Sequence, residues 1–91
     1  MIKAKITELP GKSVRIERIF DNGVPSNRCH PAHFHATEGD AGRVTVDRTD
    51  KGPFTAFTLL PEEMEINGAV PASVEEAVTS LNAFIGNFKA G

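Results

Sequence analysis

The chain has 91 residues, of which 40% are hydrophobic and 24% charged, so it can support one core and carries neither a disordered nor a fibrous signature. Net charge is -2 with no basic block, and Trp and Tyr are absent, which argues against a nucleic-acid partner. The single cysteine, Cys29, leaves no disulfide framework, and no stretch is apolar for long enough to be a signal peptide or membrane span; a single soluble domain over residues 1–91, cytoplasmic and without a membrane partner, is expected.

Taken in order, Ile2, Ala4 and Ile6 alternate with Lys3 and Lys5, the period of two that turns one strand face inward. Pro10-Gly11 interrupts. Ser13 to Phe20 then resumes, with Val14, Ile16 and Phe20 inward and Arg15, Glu17 and Ile19 outward, while Arg18 breaks the inner face. A hairpin about Pro10-Gly11 follows. Asp21-Asn22-Gly23 is a turn. In the irregular stretch that continues to Gly42, Ala32, Phe34 and Ala36 alternate with His33 and His35 and predict a strand with both imidazoles on one face. Arg43 to Arg48 is a short strand with Val44 and Val46 inward. After the Thr49–Pro53 turn, Phe54 to Leu60 is a strand apolar on both faces, ended by Pro61. Met64–Ile66, Asn67-Gly68 and Ala69-Val70 spell a tight hairpin.

The closing element is the best specified. Val74, Ala77, Val78, Leu81, Phe84, Ile85 and Phe88 fall on one arc of a helix running from Ser73 to about Phe88, with Glu75, Glu76, Thr79, Asn82, Ala83 and Asn87 opposite. Ser73 and Glu76 form a capping box, and both Glu residues lie where the helix dipole favours negative charge. Gly86 is read as interior, since Phe88 keeps the stripe in phase. No internal repeat divides the chain. The predicted fold is therefore α+β: a small antiparallel sheet of five to six strands in hairpins, with one C-terminal amphipathic helix packed on one face.

Charge is uneven. Lys3, Lys5, Lys12, Arg15 and Arg18 crowd the first twenty residues, whereas 61–80 hold Glu62, Glu63, Glu65, Glu75 and Glu76 and no Lys or Arg. Solvated faces on opposite sides of the domain are one reading, and head-to-tail packing of subunits is the other.

Cys29, His30, His33 and His35 lie within seven residues. Two histidines at alternate strand positions could reach one divalent ion, with Cys29 or His30 as a third ligand and Glu38 or Asp40 as a fourth, a set that zinc accepts. The spacing matches no established zinc pattern. A Cys29-His30 nucleophilic pair lacks an orienting group and oxyanion donors, and phosphate-loop and dinucleotide motifs are missing.

From Ile66 to Phe88 the run Ile66-Asn67-Gly68, Ser73-Val74-Glu75-Glu76-Ala77-Val78, Leu81-Asn82 and Ile85-Gly86-Asn87-Phe88 resembles the closing segment of small proteins of phage and prophage structural modules, where a hairpin leads into a capped helix with a Leu-Asn signature. The resemblance implies a virion-associated or assembly protein that oligomerises, with no catalytic residues to carry over. The Cys29–His35 cluster has no counterpart there, which leaves metal-assisted assembly open. The leading expectation is a non-enzymatic structural or interaction protein, homo-oligomeric or bound to other structural proteins. The alternative is a zinc-type module using Cys29, His30, His33 and His35; no other cofactor is expected.

Overall fold

The two alternations at the start of the chain become the first two strands of the computed structural model, which describes residues 1–10, 13–19, 27–48 and 56–90. β1 (Ala4–Leu9) buries Ala4 and Ile6, β2 (Ser13–Arg18) buries Val14 and Ile16, and the strands pair antiparallel with Ile6 opposite Ile16. β3 (Asn27–Cys29) pairs antiparallel with β2 and sets Cys29 opposite Val14, on the core face. The expected turns at Pro10-Gly11, Asp21–Gly23 and Thr49–Pro53, the inward Phe20, the start of the Phe54 strand and the Phe88 side chain lie wholly or partly outside the described residues.

The chain then changes sheets. β4 (Phe34–Glu38), β5 (Val44–Arg48) and β6 (Phe57–Leu59) form a separate antiparallel meander in that order. β7 (Met64–Ile66) returns to the first sheet and pairs parallel with β1, completing the order β3-β2-β1-β7. The α+β class is as predicted. The strands, seven among the described residues, divide into two sheets, and the first mixes parallel with antiparallel pairing; alternation tells which side of a strand faces inward but not which strand lies beside it.

Both transfers between sheets use one device. A 3₁₀ turn over Pro31–His33 links β3 to β4, and another over Pro61–Glu63 links β6 to β7. Proline suits the first position of such a turn, because its fixed φ is helical and its missing amide would have no partner there. The preceding residues, His30 and Leu60, are extended as a following proline requires. In each turn the amides of His33 and Glu63 donate back to His30 and Leu60 at 2.9 Å. Ala32, expected in a strand, is thus exposed in the first turn.

The apolar faces of both sheets share one buried cluster with Ala77, Leu81 and Phe84 of α1 (Val74–Ala90). The helix packs on β4 and also touches β5, β7 and the Pro31 turn. The Phe34 and Phe84 rings meet at 5.7 Å between centroids, within the range of favourable aromatic pairs. Arg18, in phase with the inner face of β2, ends with its guanidinium carbon 5.7 Å from the Phe57 ring centroid, so a cation lies over a ring where the sheets approach.

The helix start and the turn before it follow local chemistry closely. Asn67 and Gly68 adopt φ of 50° and 85°, the positive pair of a two-residue hairpin turn, and Ile66 and Ala69 exchange hydrogen bonds of 2.7 and 3.0 Å across it. The Ser73 hydroxyl accepts from the Glu76 amide at 3.1 Å. The Glu76 carboxylate reaches the amide of Ala72, one residue before the expected cap amide. Gly86 is interior, and the helix runs on to Ala90. No helix among the described residues is long and apolar enough to cross a membrane.

Candidate functional site

The Pro31 turn decides where the clustered ligand types go. Cys29 is still in β3, so its side chain is buried beside Val14, and its thiol donates to the His30 carbonyl at 3.3 Å. His30 caps the turn, its Nδ1 accepting from the Ala32 amide at 3.2 Å. Because positions three apart stack in a 3₁₀ turn, the rings of His30 and His33 lie 5.9 Å apart.

His35 is elsewhere. It occupies β4 between the buried Phe34 and Ala36, so strand alternation sends it to the outer face, opposite Asp47 in the register. The shared strand face expected for His33 and His35 is therefore corrected: His33 ends the turn, and the strand begins one residue later. His30 and His33 are brought together, whereas Cys29 is buried in the core on β3 and His35 lies on β4 of the other sheet. Among the described residues no group of three or more His, Cys, Asp or Glu side chains is placed to hold a metal ion.

The second corner holds a charged hub. Lys3 Nζ lies 2.7 Å from Glu63 Oε2, the Leu60 amide donates to Oε1 at 2.9 Å, and Arg43 stands 3.9 Å from Oε1. The Lys3 ammonium and then the Leu60 amide hold the Glu63 carboxyl below the usual carboxylate range, against the opposing effect of partial burial; the Arg43 charge adds to the lowering. The Glu63 carbonyl also accepts from the Lys3 amide, and two residues further along each strand Lys5 stands opposite Glu65. Of the basic and acidic sets, Lys3 with Glu63 and Lys5 with Glu65 thus meet inside the chain along β1 and β7, whereas Glu75 and Glu76 lie apart in the first turn of α1.

Asn82 is a further residue that the sequence pattern places wrongly, on the solvent side of α1. Its side-chain oxygen accepts from the Ala36 amide at 2.8 Å and its nitrogen donates to the Ala36 carbonyl at 2.9 Å. β4 is an edge strand of the second sheet, and this amide takes the place of a neighbouring strand. The available signal was propensity: Asn is a poor interior helix residue, and one lying beside the apolar stripe is better explained by a tertiary partner. Asn67 acts similarly, accepting from the Glu8 amide at 2.8 Å and so extending the contact of β7 with β1.

A shallow cavity of about 110 Å³ lies between the Asn67-Gly68 turn and α1, lined by Ile66, Ala69, Val70, Pro71, Glu76 and Ser80. It is well below the roughly 300 to 1,000 Å³ of small-molecule sites. Comparison with protein-family models, with characterised proteins and with solved structures finds no match. Any functional assignment for this arrangement rests on its own chemistry, in which fixed polar side chains bind backbone: Asn67 on β1, Asn82 on β4, and Glu63 on Leu60.

Proposed function

We propose that this protein is a non-enzymatic structural or interaction protein that works by associating with further copies of itself, in the manner of the small phage and prophage assembly components that Ile66 to Phe88 resembles. It would act in the cytoplasm or on a virion. The observation behind the non-enzymatic part of the reading is how Glu63 is used. A carboxyl with displaced titration is a common mark of an active site, yet Glu63 is engaged by Lys3, the Leu60 amide and Arg43 and holds β1 to a sheet corner. The groups that lower its titration, Lys3, the Leu60 amide and Arg43, are all partners within the fold. The small size of the chain supports the associating part, because a domain of this length gains from burying surface against a partner.

Sedimentation velocity across a wide concentration range tests the reading. A concentration-dependent species larger than the 9.8 kDa chain is expected. A strict monomer at the highest attainable concentration would overturn it.

A further inference from the structure

Charged side chains that the fold brings together are mostly matched within the chain. Lys3 pairs with Glu63, Lys5 stands between Glu17 and Glu65 in the register, and Glu8 accepts from Asn87. The β2–β3 end of the outer face of the first sheet breaks this pattern. There the β2–β3 register sets Arg15 directly opposite Arg28, and the β1–β2 register sets Thr7 on the other side of Arg15. With strands roughly 4.8 Å apart, one hydroxyl and two guanidinium groups form a row across three strands.

Like charges directly opposite one another on a sheet repel. Arg15 has partial relief, since its Nε lies 3.5 Å from Glu17 Oε1, and its side chain is 39% exposed. Arg28 is exposed and forms no ion pair among the described residues. Guanidinium forks match planar carboxylates two bonds at a time, so a pair of carboxylates would turn this repulsive row into an attractive one.

The same chain displays such a pair elsewhere. Glu75 and Glu76 are adjacent and exposed in the first turn of α1. Neither is in an ion pair with Lys or Arg among the described residues, and the hydrogen bond that the Glu76 carboxylate accepts comes from the neutral Ala72 amide. We infer that the Thr7, Arg15 and Arg28 row on the outer face of the first sheet docks Glu75 and Glu76 of a second copy. The two surfaces are different, so the contact is head-to-tail, and repetition gives a ring if the rotation closes and a filament if it does not. This inference rests on the self-associating reading given above and specifies its surface.

Charge reversal with complementation tests it. Sedimentation velocity at low and high salt would compare the wild type, Arg28→Glu, Arg28→Gln, the double variant Glu75→Lys/Glu76→Lys, and an equimolar mixture of Arg28→Glu with the double variant. Circular dichroism and melting profiles establish that each is folded. The expected result is association that weakens with salt, falls about tenfold or more in each reversed variant, falls less in Arg28→Gln, and recovers in the mixture, where reversed surfaces meet. Association that persists unchanged in both reversed variants would overturn the docking row while leaving self-association standing. Loss in both variants without recovery in the mixture would also overturn the pairing of these two surfaces. A wild-type monomer throughout would overturn both.

Discussion

Removing the Asn82 amide should expose how much the edge of the second sheet depends on one side chain. Asn82 makes two hydrogen bonds to Ala36, one in each direction, and a typical bond contributes about 1 kcal/mol net. Asn82→Ala therefore loses about 2 kcal/mol and regains about 0.5 kcal/mol from better helix propensity. Its expected cost is about 1.5 kcal/mol, because the smaller side chain lets water reach Ala36. Asn82→Leu keeps water out and leaves both backbone groups unpaired, which raises the expected cost to about 2 to 4 kcal/mol. Urea denaturation followed by circular dichroism measures the difference. Amide hydrogen exchange supplies the local readout, since protection at Ala36 should fall in both variants more than protection at Val46. A loss under about 0.5 kcal/mol in Asn82→Leu, or unchanged exchange at Ala36, would refute the view that this amide stands in for a strand.

Three further outcomes follow from the packing. Leu81→Ala, at a fully buried position of the core cluster, should cost about 2 to 5 kcal/mol by denaturation. Gly86→Ala should stabilise by about 0.5 to 1 kcal/mol, since Gly86 is inside the helix with open space around the added methyl. The lowered titration of Glu63 implies a contribution to stability that is full at neutral pH and is lost as the pH falls below the ordinary carboxylate range and through the lowered value. The stability difference between wild type and Glu63→Gln, measured by denaturation from neutral to strongly acidic pH, should shrink toward zero over that acidic window; a difference independent of pH would contradict it.

Local chemistry was legible in the sequence and tertiary partnership was not. Asn67-Gly68, the Ser73 cap and the helix stripe each depend on residues within a few positions of one another, and each is found essentially where the pattern put it. The buried members of β1, β2, β4 and β5 likewise follow from alternation alone. The division into two sheets was not legible because Pro31 opens a 3₁₀ turn where a continuous strand would have satisfied the alternation equally well, and because Pro61 marks the end of a strand without telling which sheet the next strand joins. That ambiguity misplaced His33, which extended a strand pattern on paper but closes a turn in the molecule. Asn82 was misread for the complementary reason: its partner, the backbone of Ala36, has no side-chain signature to detect. The charge asymmetry was visible, but its internal use by Lys3 and Glu63 required the parallel register of β1 with β7.

That register also sets the order in which the protein can be finished. Each meander is built from strands close in sequence and can form early, whereas the β1–β7 contact joins residues near the beginning to Met64–Ile66, so its loop-closure cost must be met late. As the chain emerges from a ribosome, β1 presents an open edge until β7 is available to cover it. During that interval the edge is a template for another nascent chain, and a delay in synthesis after Leu59 would prolong the exposure of the Ala4–Ile6 stretch that the three residues of β7 cover.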